Sequence, residues 1–274
     1  MLIDVVHRTD YSYEQPVSYT IQSLKMTPSD WSGQRVLNWK IDTGGHGDLP
    51  AFRDSFGNLT HTFVANGFHD RVTITAHGQV ETTDTQGMIT GTVEPFPLNA
   101  YLRFTDLTEP SEAIRSIAMQ SKGGENRIDE LHRLLNTVRD KVDYRTGETQ
   151  VETRAAEAVE YGFGVCQDHA HVFLSACRVL DIPARYVSGY LVASANPNET
   201  YEASHAWAEA HVPEIGWVGF DVSNRVCPTD AYLRVAVGLD YREAAPIRGL
   251  RKGGAGESLD VTVKVTQQQV QQQA

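Results

Sequence analysis

The sequence predicts an α+β chain: an antiparallel β domain followed by a core in which one prominent helix precedes a set of short antiparallel strands. Three observations carry that expectation. Residues 1–100 mix Val, Ile, Thr and aromatic residues with turn-forming residues, the texture of strands and hairpins. The middle of the chain holds apolar residues at helical spacing. Beyond Pro183, strand-like segments alternate with short turn-rich stretches, as in a meander. The chain accordingly divides into a β domain (1–100), a core (101–249), a final strand region (250–266) and a disordered, glutamine-rich tail (267–274).

In the first unit, HRTDYSYEQPVSYTIQSLKMTP reads as a hairpin, and RVLNWKID as a strand with Val36, Leu37, Trp39 and Ile41 as its apolar residues. DSFGNLTHTFVANG carries two turn signals, Gly57-Asn58 and Asn66-Gly67, around a short strand. RVTITAHGQVETTD alternates Val72, Ile74 and Ala76 against Arg71, Thr73 and Thr75, the pattern of a half-buried strand. His46, His61 and His69 lie on separate segments and read as solvated or structural residues.

Pro95, Pro97 and Pro110 punctuate the entry into the core. SEAIRSIAMQS is a short helix with Ser111 or Thr108 as its cap. ENRIDELHRLLNTVRDKVDY places Ile128, Leu131, Leu134, Leu135 and Val138 on one helical face, and TRAAEAVEYG ends at Gly162. In VCQDHAHVFLSACRVLDIP, Cys166, Ala170, Phe173, Leu174, Cys177 and Leu180 share a face until Pro183 stops the pattern. The strands ARYVSGYLVA, SHAWAEAHV and GWVGFDV follow, with SANPNET and PEIG as the connections. YLRVAVGLDYREAAP adds a strand and an edge segment, and SLDVTVKV a final strand.

Composition narrows the function classes. With 274 residues, 41% in the hydrophobic set and 22% charged, the chain can build a core without metal or disulfide staples. A formal net charge of −11 argues against nonspecific nucleic-acid binding and against attraction to anionic lipid. Three cysteines, Cys166, Cys177 and Cys227, make no disulfide scaffold and read as reduced. The opening MLIDVVHRTD lacks a secretory pattern, and no apolar run reaches the length of a membrane span. A cytoplasmic protein is the expectation.

The chemistry-bearing candidates are Cys166, His205 and Asp221. Cys166 sits in the first turn of a predicted helix after Phe163-Gly164-Val165, where the helix dipole and free N–H groups favour a thiolate and can receive an oxyanion. Gly164 would let a substrate carbonyl approach the backbone. A packed small residue is the competing reading of that cysteine. Period two along SHAWAEAHV puts His205, Trp207, Glu209 and His211 on one face and Ala206, Ala208 and Ala210 on the other. The alanine side implies close packing against another element, such as the Cys166 helix. Asp221 ends the next strand, where it would orient His205 as the third member of a triad.

GFGVCQDHAHVFLSACRVLDIPARYVSGY, SHAWAEAHVPEIGWVGFDVSN and YLRVAVGLDYREAAPIRG together resemble the bacterial transglutaminase-like family of the papain-like cysteine hydrolase and transferase superfamily. DSFGN, GQRVLNW and TITAHGQVE resemble the β domain that precedes the core in this family. The resemblance implies a papain-like core with its nucleophile at a helix start packed on an antiparallel sheet. It also implies catalytic roles for Cys166, His205 and Asp221. Asp168 and the Gly189-Tyr190 pair look like family positions that shape the helix start and cleft. Trp207 either walls the pocket or belongs to the core, and Arg185 either neutralises Asp168 or reaches solvent. No upstream glutamine supplies the papain-type second oxyanion donor, which leaves a backbone N–H, Tyr161 or Trp207.

A metal site is disfavoured. His169 and His171 are two apart on a predicted helix and do not share a face, and the sequence contains neither HExxH nor CxxC. Calcium and phosphate-loop motifs are also missing, so no cofactor is expected. The predicted enzyme is a cysteine protease or amidase acting on a peptide, isopeptide or related amide bond of a peptide or protein substrate. Acyl transfer to an amine and a noncatalytic binding module are the alternatives.

Overall fold

The structure, a computed structural model, describes residues 1–45, 49–192 and 204–267. His46, the SANPNET turn and residues 268–274 of the tail lie outside them. The chain begins with β1 (Leu2–Leu24), β2 (Gln34–Asp42), β3 (Ala51–Arg53), β4 (Leu59–Thr82) and β5 (Met88–Ile89). The helical middle comprises α1 (Glu112–Ser121), α2 (Arg127–Lys141), β6 (Asp143–Tyr144), α3 (Ala155–Tyr161), β7 (Phe163–Gly164) and α4 (Cys166–Val179). Then come β8 (Ala184–Leu191), β9 (Ser204–Val212), β10 (Gly216–Phe220), β11 (Tyr232–Gly238), α5 (Tyr241–Ala244), β12 (Ile247–Gly253) and β13 (Glu257–Gln267).

Two long strands organise the N-terminal sheet. β1 and β4 run antiparallel from Leu2 opposite Glu81 to Leu24 opposite His61. β2 and β3 pair with the far side of β4, and β12 and β13 with the far side of β1. The predicted hairpin over residues 7–28 is therefore one continuous strand. Pro16, which has no N–H to give, falls where the register shifts between Ser12 and Val17. Asn66-Gly67 likewise does not reverse the chain: Gly67 takes a φ of 87° within β4, at the second register shift. Both signals bend a strand pair, as bulges do.

The core sheet is antiparallel throughout, in the order β11-β8-β9-β10-β5. Ala206, Ala208 and Ala210 of β9 share one hydrophobic cluster with Ala170, Phe173 and Cys177 of α4, so the small side chains let helix and sheet approach closely. α1 and α2 pack on α4. Ser111 caps α1 by accepting from the Ile114 N–H, Asn126 caps α2 by accepting from the Asp129 N–H, and α3 ends at Gly162 with φ 72°. Sheet membership crosses the sequence divisions: β5, before residue 100, joins the core sheet, whereas β12 and β13 return to the N-terminal one.

Side-chain amides clamp the two sheets together. The Gln34 carboxamide accepts from the Arg234 N–H (2.9 Å) and donates to the Arg234 carbonyl (2.9 Å). Asn58 does the same at Val237, with both bonds at 2.8 Å. These residues satisfy the outward backbone groups of β11, the edge strand of its sheet, as a further strand would.

Arg185 neither neutralises Asp168 nor reaches solvent. It is 1% exposed, donates to Glu209 (2.6 Å) and Glu94 (2.7 Å), and lies 4.0 Å from the Trp217 ring centroid. Arg234 adds a second cation to Glu209 at 2.7 Å. Burial opposes ionisation of Glu209, but the two guanidinium groups bring its pKa down to about 2. Glu209→Gln leaves two cations short of a carboxylate, so stability should fall by about 3 kcal/mol at neutral pH, measured by urea unfolding.

Candidate active site

Cys166 opens α4, and the backbone beside it is held by Asp168. The Asp168 Oδ2 accepts from the Val165 N–H (2.8 Å) and from the Thr149 hydroxyl (2.7 Å). Burial raises the Asp168 pKa against those two bonds. Gly164 serves this carboxylate: a Cβ on it would lie 2.6 Å from the Asp168 Cβ. Its smallness thus makes room for Asp168, a different use from the substrate approach expected of it. The first α4 amide with a main-chain partner is His169 N–H, bonded to the Val165 carbonyl at 3.0 Å. The N–H groups ahead of it point out of the helix end, as the α-helical pattern dictates.

His205 lies near the start of β9, and Asp221 directly follows β10, its antiparallel neighbour. The His205 Nε2 and the Asp221 Oδ2 are 2.7 Å apart. The same oxygen accepts from the Tyr232 hydroxyl and the Asn224 side-chain amide, each at 2.7 Å. Asp221 is fully buried. Burial disfavours its charge, yet these donors, His205 foremost, hold its pKa below the ordinary carboxylate range. For His205, burial alone would lower the pKa; the hydrogen bond with Asp221 and the influence of Cys166 carry it up to about 10. Because Nε2 faces Asp221, Nδ1 is the ring nitrogen that this carboxylate leaves unengaged.

The remaining predicted residues separate. Trp207 is 2% exposed and stacks on the imidazole at 6.3 Å; it is a core tryptophan beneath His205 and no part of the cavity wall. A Cβ on Gly189 would run into the Leu233 carbonyl oxygen of β11 and would lie 2.6 Å from the Trp207 ring, which together account for the glycine of YVSGY. Tyr161 stacks on Phe163 at the end of α3, is 51% exposed, and stands outside the cavity. Asn224 belongs to the Asp221 cluster. Tyr232 was missed by sequence reasoning, since only its place at the head of a predicted strand was visible. His169 bonds to the Ser223 hydroxyl and the Val142 carbonyl, and His171 accepts from the Tyr241 N–H. Burial lowers their pKa values to about 4 and about 3. Among the described residues, no group of three or more His, Cys, Asp or Glu is arranged to hold a metal ion.

Cys166 and His205 line a cavity of about 290 Å3. The core supplies Gln167, Tyr186 and Tyr190 to it, and the N-terminal sheet supplies His7, Tyr11 and Leu259. The two sheets therefore meet across the candidate site. His7 crosses that boundary, with its Nδ1 2.8 Å from the Tyr190 hydroxyl.

Two family models match this chain. The transglutaminase-like superfamily matches residues 115–222, and the bacterial transglutaminase-like N-terminal region matches residues 3–81. An uncharacterized protein of Mycobacterium leprae is 33% identical, over 96% of this chain and 97% of that protein. A protein-glutamine gamma-glutamyltransferase of Pseudomonas aeruginosa is 33% identical over 104 residues, 33% of this chain and 15% of that protein. A candidate cysteine protease from Cytophaga hutchinsonii shares the fold, with a TM-score of 0.74 and 21% identity over 98% of this chain and 93% of that one. The cytoplasmic expectation is withdrawn. Among similar solved structures is the periplasmic domain of TgpA from Pseudomonas aeruginosa (15% identity, TM-score 0.40, 80% of this chain and 90% of that one). No helix among the described residues is long and apolar enough to cross a membrane.

The His205 environment has a direct spectroscopic consequence. A raised imidazole pKa stabilises the fold fully below about pH 6.5, and the contribution is lost as pH rises through about 10. NMR titration should find the His205 ring still protonated at pH 8. Asp221→Asn should move that titration to lower pH.

Proposed function

Since the chain belongs to the transglutaminase-like superfamily and carries that superfamily's bacterial N-terminal region, we propose that it hydrolyses a peptide, isopeptide or related amide bond through a thioester on Cys166. The observation that carries the reading is the place of His205, whose Nε2 meets the buried Asp221 while its ring lines one cavity with Cys166. An imidazolium in that position pairs with a thiolate, the nucleophilic form of cysteine.

The Cys166 sulfur attacks the carbonyl carbon, and the N–H groups at the start of α4 receive the oxyanion. Collapse breaks the C–N bond while the proton on His205 Nδ1 passes to the departing amine, leaving the acyl group on sulfur. A water molecule then gives its proton to the same nitrogen and attacks the thioester, releasing the acid and restoring the thiolate–imidazolium pair. Asp221 stays ionised and fixes the ring throughout. Tyr232 and Asn224 are positioning residues, acting on substrate only through Asp221.

Acyl transfer to an amine is the second reading, favoured by the local likeness to the Pseudomonas aeruginosa gamma-glutamyltransferase. It shares the first half-reaction and differs only in the acceptor. Mass spectrometry of products formed with and without a primary amine distinguishes them: a free acid in both cases supports hydrolysis, and an amide adduct supports transfer.

Cys166→Ala should abolish both turnover and labelling by a peptidyl thiol-reactive probe while leaving the fold intact. His205→Ala should be similarly severe. Asp221→Asn should lower kcat/KM on the order of 10²-fold and retain more activity than either. Near-normal turnover in Cys166→Ala or His205→Ala would rule the mechanism out.

A further inference from the structure

We propose that the cavity beside Cys166 receives an uncharged, apolar side chain of the acyl substrate, and that strands of the N-terminal sheet build the wall that selects it. The inference rests on the reading of Cys166 as the nucleophile and adds the substrate class.

Beside His7 and Thr9 of β1, the N-terminal sheet gives the wall four large apolar or aromatic side chains. Tyr11 comes from β1, Ile247 from β12, and Leu259 and Val261 from β13. Tyr11 sits directly opposite Leu259 in the ladder, and Val261 follows two residues later on the same face. Leu259 is 56% exposed and Val261 is 50% exposed. Large apolar side chains are thus left facing a cleft, where a ligand would gain by covering them.

The charges of the cavity point the same way. Although the chain has a net charge of −11, no Asp or Glu among the described residues lines it. A cationic side chain entering would lose its hydration and find no carboxylate. Lys25 lines the cavity, but it is already paired with Asp54 at 2.7 Å, so an anionic side chain would have to displace a carboxylate. Several polar groups of the wall are occupied as well. The His7 Nδ1 meets the Tyr190 hydroxyl, and its Nε2 lies 3.3 Å from the Thr9 hydroxyl. The Ser188 hydroxyl donates to the Ala244 carbonyl. The side chains that β12 and β13 add to the wall, Ile247, Leu259 and Val261, are all apolar.

The test uses capped dipeptidyl acyloxymethyl ketones that differ only in the side chain next to the ketone: Leu, Phe, Gln, Glu or Lys. Rates of adduct formation at Cys166 are read by mass spectrometry in the full chain and in the double variant Leu259→Glu/Val261→Glu. Both substituted residues are exposed, so the fold should tolerate the change. In the wild type, the Leu and Phe probes should label about 10-fold or more faster than the Glu and Lys probes. In the variant, the Lys probe should gain at least that factor relative to Leu. Iodoacetamide, which carries no side chain, should label Cys166 in both proteins at one rate. Equal rates for all five probes in the wild type, or an unchanged ranking in the variant, would overturn this proposal and leave the nucleophile reading standing. Failure of every probe to label Cys166 would overturn both.

Discussion

One oxygen of Asp221 accepts from His205, Tyr232 and Asn224, and the candidate site depends on that convergence. A carboxylate removed from water stays ionised only if donors replace its hydration. Here the donors come from β9, from the turn after β10 and from the start of β11. The imidazole is consequently fixed by three segments of the core sheet rather than by its own strand alone. Trp207 packs against the same ring and, with Gly189 making room for its indole, removes the space into which it could turn.

That sheet is in turn steadied by the N-terminal unit. Gln34 and Asn58 bond to the backbone of β11, the strand that carries Tyr232. An amide that both donates to and accepts from one residue imitates a neighbouring strand and protects an otherwise open edge. The N-terminal sheet therefore contributes at two levels: it stabilises the strand that orients Asp221, and it closes one side of the cavity.

Local patterns made much of this legible in the sequence. The helical spacing of Leu131, Leu134, Leu135 and Val138, the cap at Ser111 and the stop at Gly162 are near-neighbour effects. The alanine face of SHAWAEAHV announced a close helix contact for the same reason. Long-range choices were hidden. Pro16 and Asn66-Gly67 carry the chemistry of a turn, and nothing nearby in sequence reveals that β1 and β4 use them to bend together. Arg185 resembles a solvent-seeking strand residue until Glu209, Glu94 and Trp217 are brought around it. Gly164 next to a cysteine suggested substrate access, whereas its neighbour in space is Asp168. Tyr232 offered no signal, because its partner, although only eleven positions away, is defined by how β10 and β11 are arranged in the sheet.

The antiparallel pairing of β1 with β13 joins segments from opposite ends of the described chain, Ile3 facing Gln267 and Tyr13 facing Glu257. Closing so wide a loop is entropically slow, and contacts of that separation form late. The helical middle and its meander are built from far more local contacts and can collapse first. If Cys166 is the nucleophile proposed above, the wall that would sort its substrates is thus completed by a pairing between the two ends of the described chain, and selectivity is tied to the integrity of that terminal seam.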